Sequence, residues 1–101
     1  MEKFTADVIK IIKNIPSGKV MTYGQVAKCA GSPRGARQVS RILHSMSKKH
    51  QLPWHRVINA EGKITIRDEE MGQVQKLSLE AEGVVFLSKF QLDLNVYRHF
   101  V

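Results

Sequence analysis

Two helices joined by a tight turn are the arrangement that the stretch from Thr22 to Val39 imposes on the chain. The Thr22 hydroxyl can accept from the Gln25 amide while the Gln25 side chain reaches back to the Thr22 amide, a reciprocal pair that starts a helix at Tyr23. That helix carries Val26, Ala27 and Ala30 and meets Gly31, which takes the left-handed conformation at a helix end without a Cβ clash. Ser32-Pro33 then reads as cap and first residue of the next helix. Two helices around a short turn containing Gly form a helix-turn-helix.

The second helix of the pair is two-faced. At a hundred degrees per residue, Val39, Ile42, Leu43 and Met46 fall on one side, and Arg37, Arg41, His44 and Lys48 form a stripe on the other. A charged helix face is usually only a solvated one. Three cations and a histidine with no acid among them point instead to phosphate contact. The whole chain leans the same way, with sixteen Lys and Arg against nine Asp and Glu, a net charge of +7 and a pI of about 9.9. Such an excess favours a polyanion. The longest uninterrupted apolar segment is Val84 to Leu87, so nucleic acid is expected rather than a membrane.

The flanking segments complete one expected domain over residues 1–101. Phe4, Val8, Ile11, Ile12 and Ile15 define a core-facing helix that stops at Pro16, with Glu2, Lys3, Asp7, Lys10 and Lys13 on its wet face. After the helix pair comes Leu52-Pro53-Trp54-His55-Arg56-Val57-Ile58-Asn59, where Pro53 holds the only tryptophan at a defined place. Trp54 is either a packing anchor or a ligand-facing ring. Val57-Ile58-Asn59, a turn at Ala60-Glu61-Gly62, and Lys63-Ile64-Thr65-Ile66 alternate as a hairpin would. The fold class expected is mainly α with a small β-hairpin, a winged helix-turn-helix. A polar loop over residues 67–72, a last helix with Val74, Leu77 and Ala81 inward and Gly83 as its cap, a strand over residues 84–87 and an extended tail follow.

The chemistry on offer is sparse. His44, His50, His55 and His99 are scattered and no second cysteine supplies a ligand pair, so no metal is expected; phosphate-loop and dinucleotide glycine patterns are absent, so no cofactor is either. Cys29, beside Val26 and Ala30 on the second helix, reads as an inert packed thiol. A single cysteine excludes an internal disulfide, and no secretory leader is visible, so an intracellular protein is expected.

Three separated motifs, Thr22-Tyr23-Gly24-Gln25-Val26-Ala27, Gly35-Ala36-Arg37-Gln38-Val39 and Leu52-Pro53-Trp54-His55-Arg56-Val57-Ile58, resemble in order and spacing the C-terminal DNA-binding domain of O6-alkylguanine-DNA alkyltransferases. The resemblance covers about residues 3 to 87. Trp54 stands where that family carries its alkyl-accepting cysteine, the substitution that marks the alkyltransferase-like proteins, which bind the same lesions without repairing them. The resemblance implies that Tyr23 pushes on the phosphate beside the lesion and that Arg37 enters the base stack from the minor groove. Arg41 and Lys48 fall on the DNA-binding face. It further implies a lesion pocket of Tyr23, Trp54, Val57 and Arg67, the last lying against the base. His55 and Glu82 match the residues that activate the thiol in the enzymes and, without one, are structural. Two positions depart from the family: Met46 stands where a turn asparagine is usual, and Ser40 where glycine is.

The function so implied is a non-enzymatic sensor that flips O6-alkylguanine from double-stranded DNA and flags it for nucleotide excision repair proteins, as a monomer, in a bacterial cytoplasm or a nucleus. Two rivals stand beside it: a residual alkyltransferase using Cys29, and a winged-helix regulator that reads a base sequence in the major groove.

Overall fold

The computed structural model describes all residues from Met1 to Val101. Helix α1 (Lys3–Lys13) buries Val8, Ile9 and Ile12, and with α2 (Tyr23–Cys29) and α3 (Ala36–His50) it encloses the larger apolar cluster. The capping box forms as expected: Gln25 N–H donates to Thr22 Oγ1 at 3.0 Å and Thr22 N–H donates to Gln25 Oε1 at 3.2 Å. Gly31 has φ +90°, which ends α2. Pro33 is not the first residue of α3. Residues 32–35 form a turn closed by Gly35 N–H to Ser32 O at 2.8 Å, and α3 begins at Ala36. Val39, Ile42 and Leu43 face the core, while Arg37, Arg41, His44 and Lys48 are exposed.

The fold is mainly helical with a small hairpin, yet the hairpin is not where the alternation pointed. Strand β1 (Met21–Thr22) pairs in parallel with β2 (Val57–Ile58), Met21 opposite Val57. The segment after the Ala60 turn does not return to β2. Lys63 bridges Gln91, and Gly62 O accepts from Leu92 N–H at 2.9 Å. The antiparallel hairpin is β3 (Phe86–Ser88) with β4 (Gln91–Leu92). Alternation marks a strand and says nothing of its partner.

Helix α4 (Glu69–Ala81) starts inside the expected loop because the Asp68 carboxylate accepts from the amides of Glu70 and Met71. Its inward face is Gly72, Gln75 and Leu79; Val74 and Leu77, expected inside, are 45% and 62% exposed, and Ala81 is exposed as well. Gln75 is inward because its buried amide is satisfied there, donating to His55 O at 3.2 Å and to Val57 O at 3.1 Å. Gly83, φ +96°, closes the helix as expected. The tail is not extended throughout, since Asp93 caps a short helix α5 (Leu94–Tyr97). A second apolar cluster of Val20, Ile58, Leu79, Val84 and Leu92 joins these late elements. No helix is long and apolar enough to cross a membrane.

Candidate nucleic-acid interface

Trp54 opens a single 3-10 turn (Trp54–Arg56) between α3 and β2, and both sides of that turn are fixed. On one side stands Glu82. Its carboxylate accepts from Arg56 Nη2 at 2.7 Å and Nε at 3.0 Å, from the Gly18 amide at 2.9 Å, and lies 2.7 Å from His55 Nε2. Arg56 Nη1 also donates to Ile15 O at 2.9 Å, which ties the turn to the end of α1. Gly18 has φ +83°, and a Cβ there would lie 3.1 Å from the Glu82 carbonyl, so this junction needs glycine on both counts. On the other side Gln75 holds the turn's carbonyls. Desolvation alone would raise the Glu82 carboxyl; hydrogen bonds from Arg56, Gly18 and His55, and the charge of His55, outweigh it and lower it to about 2. His55 and Glu82 thus form a hydrogen-bonded pair, and Arg56 completes the group.

Trp54 itself is half-buried, packed on the larger core cluster and edge-on to His55 with ring centroids 6.3 Å apart. Its remaining face lines a cavity of about 750 Å³. Tyr23, Leu43, Leu52, Ile66 and Met71 supply the apolar wall with it, and Ser40, His44, Ser47, Lys48 and Gln51 form a polar flank along α3 and its end. Burial raises the Tyr23 hydroxyl above its ordinary range, so the phenol is held neutral.

The expected site residues divide. Tyr23 and Trp54 meet in the cavity, and Lys48, expected on the outer face, lines it too. Val57 does not line it: it is 1% exposed and pairs with Met21 in the core. Arg67 is exposed between two lining residues, Ile66 and Asp68, without lining the cavity itself. Arg37 and Arg41 lie outside it on the exposed face of α3. Leu43, Ile66 and Met71 were missed, since an apolar residue in sequence gives no sign of facing a cavity rather than the core. Cys29 is a further correction. It is exposed, not packed, because it sits in the last turn of α2, and it lines a separate groove with Asp7, Lys10 and His99.

The helix pair, the fixed Trp54 turn and the cavity agree with what the sequence is similar to. The family described as 6-O-methylguanine DNA methyltransferase, DNA binding domain, matches residues 3–84. The DNA base-flipping protein of Escherichia coli (strain K12) is 45% identical over 97 residues, 96% of this chain and 74% of that protein. Alkyltransferase-like protein 1 of Schizosaccharomyces pombe is 41% identical over 102 residues, 96% of this chain and 94% of that one. The crystal structure of S. pombe Atl1 in complex with damaged DNA containing O6-carboxymethylguanine aligns with a TM-score of 0.89 at 38% identity, covering 100% of this chain and 98% of that one. The chain belongs to the family of the 6-O-methylguanine DNA methyltransferase DNA-binding domain, among its alkyltransferase-like members.

Proposed function

We propose that this chain is a non-enzymatic DNA-damage sensor: it binds double-stranded DNA along α3, rotates an O6-alkylguanine out of the stack and holds it in the cavity against Trp54. The observation that carries this reading is the indole on the wall of a cavity beside a helix whose outward cations make no ion pair. Extruding a nucleotide costs a few kcal/mol, less for a lesion that pairs badly. Stacking a base on an aromatic ring returns roughly 1–3 kcal/mol, and insertion of Arg37 into the gap offsets more. Tyr23 presses on the flanking phosphate, and Arg67 closes on the exposed face of the base.

No alkyl group is transferred on this reading, because an indole is no thiolate and Trp54 takes the place of the nucleophile. Cys29 lines a different groove from Trp54. The bound, distorted site is then a mark for nucleotide excision repair proteins, in a bacterial cytoplasm or a nucleus, with the chain acting as one monomeric domain.

The test uses Trp54 being the only tryptophan. Titration with a duplex carrying one O6-methylguanine quenches its fluorescence strongly and with higher affinity than the undamaged twin. Equal, weak and salt-sensitive responses to both would defeat the sensor, and a preference for one base sequence would replace it with a regulator. Intact mass stays constant after incubation with alkylated DNA; a gain of one alkyl group would make the protein an enzyme.

A further inference from the structure

Gln25 makes a contact that its capping box does not need. Its Oε1 accepts from the Thr22 amide at 3.2 Å, and its Nε2 donates to the carbonyl of His99, 74 residues further on. A carboxamide can do both at once, whereas a carboxylate has no donor. His99 is held in return on the segment that leads into β1 and α2. Its amide donates to Val20 O at 2.7 Å, the Val20 amide donates to Tyr97 O at 2.9 Å, and Val20 bridges Arg98 in parallel. Lys19 Nζ adds a bond to Val96 O at 3.1 Å. Residues 96–99 thus lie along Lys19 and Val20 and reach the first turn of α2.

This segment is anchored away from α2. The Tyr97 hydroxyl accepts from the Val85 amide at 2.8 Å, and Leu94 and Tyr97 pack on the second apolar cluster. Helix α2 is therefore tied to the larger cluster through Val26 and Ala27, and to the second one through Gln25 and His99. Tyr23, the first residue of α2, lines the cavity with Trp54. A side chain that presses on a phosphate is pushed back with equal force, and a helix end fixed from one side only would tilt under it. Functional side chains keep their geometry when the groups behind them are themselves locked. Residues 96–99 lie beyond residue 84, where the match to the family domain ends.

We propose that Gln25 is a positioning residue for base extrusion: through His99 it straps the Tyr23 end of α2 to residues 96–99, so that Tyr23 keeps its place as it presses on the phosphate beside a lesion. The inference rests on the base-flipping reading above and adds to it a residue that touches neither DNA nor the flipped base. The strap sets how strongly a lesion is preferred. It does not set the hold on undamaged DNA, because the phosphate contacts along α3 do not pass through the start of α2.

The ratio of affinities for a duplex carrying one O6-methylguanine and for its undamaged twin tests it, measured on the whole chain. Gln25→Glu keeps the capping box, which accepts either residue, and loses the donor to His99. It lowers the ratio about fivefold, the size of one hydrogen bond. His99→Pro adds no charge and removes the amide that holds the segment on Val20; Arg98 already has φ −65° and ψ 128°, the extended conformation that a residue before proline needs. It lowers the ratio by a similar factor, and the double variant falls no further than either change alone, since both cut one strap. His99→Ala keeps both backbone groups and keeps the ratio. All the variants still unfold cooperatively, so the fold is retained. If Gln25→Glu weakens both duplexes by the same factor, the new charge is felt by the phosphates and the proposal falls. It falls too if Gln25→Glu and His99→Pro leave the ratio unchanged, or if His99→Ala lowers it as much as His99→Pro. An unaltered protein that binds the lesion no better than guanine would overturn the flipping reading itself, a different result from any of these.

Discussion

The group around Glu82 and the outward face of α3 use the same kinds of side chain to opposite ends. His55, Arg56 and Glu82 satisfy one another in a partly buried knot, with bonds of 2.7 to 3.2 Å. Arg37, Arg41 and Lys48 make no ion pair at all. Eleven of the sixteen Lys and Arg residues but only two of the nine Asp and Glu residues precede residue 61, so the knot's acid arrives from the distant end of α4 while α3 is left without acids. A charge with its partner folded in fixes geometry, and a charge without one waits for an outside partner. Trp54 stands between the two regions, held by the first and offered to whatever the second binds.

The largest effect that tests this contrast is on folding. Glu82→Ala leaves Arg56 and His55 buried without their acceptor and lowers stability by about 3–5 kcal/mol, read from urea unfolding. A loss under about 1 kcal/mol would mean the knot holds nothing. Acid gives the next effect. The Glu82 carboxyl is lowered from 4.5 to about 2, so its contribution is complete above pH 4.5 and is lost as pH falls from there toward 2. That is about 3 kcal/mol in all. Melting temperature followed against pH shows this step in the native chain, and Glu82→Gln lacks it.

On the binding side, Arg37→Ala weakens affinity for a lesion duplex by about 1–3 kcal/mol, part of the unstacking cost the side chain offsets, and changes stability by less than about 0.5 kcal/mol. Unchanged lesion affinity would remove Arg37 from the base stack. The smallest effect sharpens how α3 is seated. A Cβ on Gly35 would come within 3.0 Å of Phe4 Cζ and 3.1 Å of the Ser32 carbonyl, so Gly35→Ala costs about 1 kcal/mol. Gly31→Ala, at φ +90° with open space around it, is disfavoured for backbone reasons alone. Urea midpoints for the two separate crowding from strain.

Local rules were legible in the sequence. The Thr22–Gln25 capping box, the left-handed glycines at 31 and 83, the two faces of α3 and the three motifs that carry the resemblance each depend on residues within a turn or two of one another. Tertiary structure decided what those rules leave open. Val57–Ile58 pairs with Met21–Thr22, the segment from Gly62 to Ile64 meets Phe90, Gln91 and Leu92, and α4 turns a polar Gln75 inward in place of Val74 and Leu77. In each case the deciding partner is far away in the chain. An alternating strand is satisfied by any edge of the right register, and a buried amide is satisfied wherever distant carbonyls accept from it. The cavity belongs to that second kind, since it is enclosed by α2, α3, the Trp54 turn and the start of α4 together. Sequence by itself named Tyr23, Trp54 and Lys48; packing alone brought them to one cavity and sent Val57 into the core.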